Sequence, residues 1–153
     1  IRRNSSYLEN NHMEWNGKTV RQKPGPWNAL GKVKFLFPNS HSIYLHDTPS
    51  KSLFSLERRA FSHGCIRVEA PVELAEFVLK DEPEWTPEKI REAMENGTSK
   101  TIRIKTPIMV VIAYATAIVK QRGGTIYFYG DIYGHDRQLK AALQKYSQRF
   151  PAQ

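Results

Sequence analysis

The longest apolar run in this chain is IMVVIAYATAIV, Ile108 to Val119, and it sets the strongest limit on what the chain can fold into. At twelve residues, with Lys105 just ahead of it and Lys120 directly after, it is well short of the roughly 20 needed to cross a bilayer. A run this apolar needs a buried home, and its β-branched content favours a strand over a helix. Gly123-Gly124 and then TIYFY follow, so the pattern predicts a β-hairpin of core strands. With 153 residues the chain has the length of one ordinary domain. A domain of that size buries roughly 68–70% of its unfolded surface.

The remaining segments predict short elements. Residues 1–30 are rich in Asn and Ser, carry the turn pair Asn16-Gly17 and then Pro24, Gly25 and Pro26, with Gly31 directly after, which reads as an irregular surface segment leading into the core. KVKFLFP and SIYLHD are β-prone runs flanking Pro38-Asn39-Ser40, a second candidate hairpin that ends at His46. Pro71 suits the first turn of a helix over PVELAEFVLK. Thr86, Pro87 and Glu88 supply an N-cap, a first-turn proline and a first-turn acid for a second helix, which Asn96-Gly97 ends. TIRIKT alternates as a strand, and DRQLKAALQKYSQ predicts a closing helix. The class expected is mostly β with short helices.

Net charge is +8, unevenly spread. Residues 1–35 hold seven Lys/Arg against two acids and residues 100–153 nine against two, whereas residues 69–95 hold nine acids against three bases. A basic surface of this kind suits a polyanion: nucleic acid, anionic lipid or a carboxylate-rich polymer, with an ordinary solvated surface as the alternative. No zinc-finger spacing, RNP motif or basic zipper is present. The single cysteine, Cys65, excludes an internal disulfide and a Cys-pair metal site.

Cys65 stands in AFSHGCIRVE, and there the chemistry concentrates. A thiol attacks only as thiolate, so it needs a base nearby and donors aimed at the carbonyl oxygen under attack. His63 lies two residues before it and His46 nineteen before it. Gly64 lets the backbone approach a substrate closely, so the Gly64 and Cys65 amides are candidates for an oxyanion hole. In extended chain Tyr44 shares a face with His46, and His63 with Cys65 and Arg67, whose guanidinium suits a substrate carboxylate. Each residue also has a plain structural reading: a small buried thiol, a hydrogen-bonded histidine, a surface arginine, a turn serine at Ser62. His41, His46, His63 and Cys65 include zinc-ligand types, but their spacing matches no usual zinc module, so no metal or other cofactor is expected.

The stretch HDTPSKSLFSLERRAFSHGCIRV resembles the signature of the L,D-transpeptidases of the YkuD-like domain family: a histidine, a spacer, then Ser/Thr-His-Gly-Cys and a polar or basic residue. PGPWNALG, FPNSHSIYLHDTP and DIYGHD look like its larger periplasmic branch in Gram-negative bacteria, the YcbB type. The resemblance, over roughly residues 20 to 137, implies a β-sandwich catalytic domain and a cysteine acyltransferase of peptidoglycan biosynthesis, with roles in cell-wall biogenesis and cell shape. It implies that Cys65 is the nucleophile, attacking the amide between meso-diaminopimelate and the terminal D-alanine of a tetrapeptide stem. The thioester then passes to the diaminopimelate amine of another stem, a third-to-third cross-link. It further implies His46 as general base, His63 as support, Gly64 as oxyanion-hole backbone, and Ser62, Arg67 and Tyr44 as substrate-binding positions. Carbapenem β-lactams, as mimics of the donor carbonyl, are the expected covalent inhibitors.

The same resemblance organises the chain. Residues 1–30 are expected to be the tail of a lid subdomain with its connecting loop, and residues 31–153 the C-terminal part of the catalytic core. The chain opens on Ile1, without the strands expected ahead of the signature, so a piece of a larger periplasmic protein is expected. Two other readings stay open: an L,D-carboxypeptidase in which water replaces the acceptor amine, and a non-catalytic module that binds cell wall or nucleic acid through the basic surface.

Overall fold

The computed structural model describes residues 5–62 and 64–149, arranged as two compact units, 1–110 and 111–153. The first unit opens with α1 (Ser5–Asn10) and an antiparallel hairpin, β1 (Met13–Asn16) with β2 (Thr19–Gln22). Register pairs Asn16 with Thr19, leaving Gly17-Lys18 as a two-residue loop with Gly17 at φ +62°. The irregular segment expected here is therefore corrected. Asn16-Gly17 is a hairpin turn, in which a positive φ matches the twist of the flanking strands.

A three-stranded sheet carries the centre of this unit, in the order β3 (Lys34–Phe35), β4 (Leu45–His46), β5 (Ile66–Arg67). β3 and β4 are antiparallel, as the predicted hairpin requires, with Lys34 opposite His46. Asn39 holds the connection: its side-chain oxygen accepts from the N–H groups of His41 and Ile43, and its amide donates to the Phe37 and Ile43 carbonyls. From β4 the chain crosses over through a 3₁₀ turn, Lys51–Ser55, and returns parallel as β5.

Two helices follow. α2 (Pro71–Val78) has its proline in the first turn. α3 (Pro87–Glu95) starts behind Thr86, whose hydroxyl accepts from the Lys89 N–H at 3.4 Å. Their facing sides bury Ala75, Leu79 and Ile90, and Phe35, Trp85, Met94 and Ile104 pack around these three. This small core ties the helices to β3. Ile90→Ala is expected to cost about 2–3 kcal/mol, because the lost methylenes leave a void that few neighbours can fill; chemical denaturation measures it.

TIRIKT is not a strand. The Lys105 N–H donates to Glu82 Oε1 at 2.8 Å and the Lys105 ammonium lies 3.1 Å from Oε2, so a buried carboxylate, not a ladder, satisfies this stretch. In the second unit, β6 (Ala117–Val119) pairs with β7 (Ile126–Phe128), and α4 (His135–Arg149) closes the chain. The hairpin falls where it was predicted, but its strands are not core. Met109 is 88% exposed and Phe128 79%. The ladder can be no longer than its shorter arm. The Tyr129 N–H still reaches the Thr116 carbonyl at 2.7 Å, beyond which side-chain contact replaces the ladder, the Tyr114 hydroxyl donating to Asp131 Oδ1 at 2.8 Å.

The expected mostly-β proportion is corrected as well, since the structure is 29% helix and 14% strand. Strands here run to two, three or four residues because each ends where its partner does, whereas a helix satisfies its backbone within itself. No helix among the described residues is long and apolar enough to cross a membrane.

Candidate active site

The parallel pairing of β4 with β5 builds the site. Leu45 stands opposite Ile66 and His46 opposite Arg67, and the Ile66 N–H donates to the Tyr44 carbonyl at 3.0 Å. One residue back along the ladder, Tyr44 therefore stands opposite Cys65. Facing residues of neighbouring strands share a face, and so do residues i and i+2. Tyr44, His46, Cys65 and Arg67 thus lie together on one face of the sheet.

His46 is buried, at 5% exposure, and its Nδ1 lies 2.5 Å from the Asp47 carbonyl oxygen. A carbonyl can only accept, so Nδ1 carries the proton and Nε2 of the neutral ring is a free base. Tyr44 lies beside this ring, with centroids 5.8 Å apart, and stands across the ladder from Cys65. Burial first, then the neighbouring Cys65, raise the Tyr44 pKa above its ordinary value. The phenol therefore stays protonated at neutral pH and can donate to sulfur. Cys65 itself is half-buried, within reach of an incoming group.

Gly64 has φ +141°, a conformation that disfavours any side chain, and its N–H donates to Ser62 Oγ at 3.3 Å. Ser62 thus shapes the turn before the thiol. His63 lies outside the described residues. Arg67 is half-buried and, among the described residues, has no carboxylate partner, which leaves its guanidinium open to one from outside. His41 sits in the exposed loop held by Asn39, and no metal-holding group of three His, Cys, Asp or Glu side chains occurs among the described residues.

The resemblance also implies a backbone carbonyl just after His46 holding its tautomer, and the Asp47 carbonyl stands there; sequence reasoning did not reach the residues that hold Asp47 itself. Asp47 is 7% exposed; its N–H donates to the Val33 carbonyl at 2.9 Å, and its Oδ2 accepts from the Lys32 N–H at 2.9 Å. Burial pushes its carboxyl up, but the Lys51 side chain and the Lys32 and Thr48 amides together outweigh burial and hold it below the usual carboxylate range. Oδ1 is buried without an aligned hydrogen bond, so the Lys51 ammonium 2.9 Å away is what offsets its desolvation. The signal was available: Asp47 and Lys51 are an i, i+4 charge pair directly after the candidate base.

Gly31 closes this arrangement from the other side. It has φ +59°, and a Cβ there would fall 2.3 Å from Asp47 Oδ2 and 2.5 Å from Asp47 Cβ. Only glycine fits. Gly31→Ala is expected to displace Asp47 and with it the carbonyl that orients His46. The expected cost is about 1–3 kcal/mol of stability, read from the denaturation midpoint, and on the order of 10²-fold in turnover of the site.

Comparison with known proteins places these geometries in context. The family profile of the YkuD L,D-transpeptidase catalytic domain matches residues 1–112, which include Tyr44, His46, Cys65 and Arg67. A Haemophilus influenzae protein named "Putative L,D-transpeptidase" is 41% identical over 123 residues, covering 80% of this chain and 24% of that protein. The chain therefore spans about a quarter of the length of the curated relative it matches.

Proposed function

This chain belongs to the YkuD family of L,D-transpeptidase catalytic domains, and on that premise we propose that it is a cysteine acyltransferase that cross-links peptidoglycan stems through their third residues. The observation that carries the proposal is the β4–β5 pairing, which sets on one face Cys65 and a histidine whose Nδ1 is turned to a carbonyl. His46 Nε2 takes the thiol proton. The sulfur bonds to the carbonyl carbon between meso-diaminopimelate and the terminal D-alanine of a tetrapeptide stem, and the backbone N–H groups of Gly64 and Cys65 receive the oxyanion. For this the Gly64 N–H leaves Ser62 Oγ. The C–N bond then breaks, the His46 imidazolium gives its proton to the departing D-alanine amine, and a thioester remains on Cys65. The side-chain amine of a second stem's diaminopimelate attacks that thioester. His46 accepts the amine proton and returns it to the leaving sulfur, so the thiol is regenerated and no cofactor is consumed.

In this reading Arg67 binds a stem carboxylate, Tyr44 and Ser62 line the donor pocket, and His63 supports the turn that presents the thiol. The hairpin β1–β2, within residues 1–30, forms part of a lid over the groove, and residues 31–153 contribute the catalytic core. The reading places the chain in the periplasm of a Gram-negative bacterium, in the larger branch of the family, where it serves cell-wall biogenesis and cell shape. Carbapenems acylate Cys65 in place of the donor stem. The test is incubation of the protein with purified disaccharide-tetrapeptide and mass spectrometry of the products. D-Alanine loss together with a dimer joined through its third residues is expected. D-Alanine loss without dimer would mean that water replaces the acceptor, making the protein an L,D-carboxypeptidase. Salt-sensitive binding with neither product would mean a cell-wall binding module.

A further inference from the structure

The two reactive residues of the proposed mechanism depend on a very short ladder. β4 and β5 pair over two residues each, and the backbone bonds at the two ends of the ladder are Ile66 N–H to the Tyr44 carbonyl at 3.0 Å and Val68 N–H to the His46 carbonyl at 2.8 Å. A slip of one residue would turn every side chain of β5 to the opposite face and remove Cys65 from His46 altogether. Smaller shear would leave the fold intact and still change the distance between thiol and imidazole.

Lys51 lies in the crossover between the two strands and reaches both. Its ammonium contacts Asp47 Oδ1 at 2.9 Å, directly after His46, and donates to the carbonyls of Val68 at 3.1 Å and Glu69 at 2.8 Å, directly after Arg67. Two of its N–H donors go to the Val68 and Glu69 carbonyls, and Asp47 Oδ1 is held beside it by charge. Asp47 is itself held on its other side by the Lys32 and Val33 backbone. The chain of contacts therefore runs from the entry to β3, through Asp47 and Lys51, to the exit of β5.

We propose that Lys51 is a positioning residue that fixes the alignment of the His46 strand against the Cys65 strand, and so sets how efficiently the thiol gives up its proton. The proposal rests on the reading of Cys65 as nucleophile and His46 as its base. Lys51 touches neither of them and acts only through Asp47 and the two carbonyls. Its side chain is 44% exposed. Asp47 at the other end is buried, so removing the cation leaves Oδ1 without its counter-charge and costs stability as well as alignment; a denaturation curve is therefore read beside each activity.

The experiment follows the rate of Cys65 alkylation by iodoacetamide against pH in the intact chain, which needs no substrate and reports thiolate formation directly. Wild type is compared with His46→Ala, Lys51→Met and Lys51→Arg, and D-alanine release from disaccharide-tetrapeptide is followed in parallel. Lys51→Met is expected to move the alkylation profile toward that of His46→Ala, and to lower kcat on the order of 10–100-fold with KM little changed. Lys51→Arg, which keeps the cation, is expected to recover part of both. A Lys51→Met profile that overlays wild type overturns the proposal, and so does equal impairment of the Met and Arg variants, which would assign the side chain to packing. Should Lys51→Met fail to fold, Asp47→Asn cuts the same bridge from its other end, and an unmoved profile there is equally decisive against it. Wild type and His46→Ala with identical profiles would end it too, since there would be no coupling to align. Absence of D-alanine release from wild type, with the profiles still separated as described, would instead remove the proposed transpeptidase activity and leave the positioning role standing.

Discussion

Cys65→Ala is expected to abolish both D-alanine release and dimer formation while the protein stays folded. The thiol is the only one in the chain, so no other side chain can form the thioester. Its removal takes away the covalent path and leaves at most the weak assistance of backbone donors and substrate binding. A loss on the order of 10⁴-fold or more is the scale seen when a nucleophile is removed from a unit of this kind. Folding should hardly change, because Cys65 is only half-buried and the buried apolar cluster among the described residues is Ala75 on α2, Leu79 at its end and Ile90 on α3. The measurement is product mass spectrometry beside a denaturation curve. Persistent cross-linking by the variant would end the nucleophile assignment, whereas loss of activity with loss of folding would show only that the residue is structural.

The second large effect is expected at His46. General acid–base catalysis contributes about 10²–10⁴-fold, and in the proposed mechanism one imidazole carries the proton in both half-reactions. His46→Ala should therefore slow acylation of Cys65 by that factor. Tyr44→Phe keeps the ring beside His46 and removes only the hydroxyl, which can give at most one hydrogen bond to sulfur. At about 0.5–1.5 kcal/mol for such a bond, the expected loss is tenfold or less. Rapid-quench mass measurement of the acyl-enzyme separates the two variants from wild type. The order of severity carries the meaning. A severe His63→Ala lesion beside a nearly normal His46→Ala would transfer the role of base to His63.

These two predictions depend on features of different legibility. That Cys65 stands behind a glycine and ahead of a short strand is local information, and so is the period-two rule that groups Tyr44 with His46 and Cys65 with Arg67. Helix starts were legible for the same reason: Thr86 and Pro87 act within one turn, and the cap they predict is present. The Asn16-Gly17 pair was legible as a turn, although the hairpin it closes was read as irregular chain because strands of four residues leave little periodicity to detect. The apolar run after Ile108 went the other way. Its composition asks for a buried strand, but pairing and burial are supplied by a partner, and only Ala117–Val119 has one in the described structure.

The sequence by itself determined the chemistry available to this protein: one thiol, a histidine in the same motif and another upstream, a glycine able to bend the chain between them, and an arginine on the alternating face. Side-chain identity and local backbone preference are properties of residues a few positions apart, so they can be read before any fold is known. Only the tertiary structure decided that the two faces are one. Parallel pairing of β4 with β5 joins segments about twenty residues apart, and neither strand carries a mark that names its partner. The same holds for Asp47 and Lys51. Their spacing makes a pair possible, but that the pair also ties His46 to the end of the Cys65 strand follows from where the crossover returns.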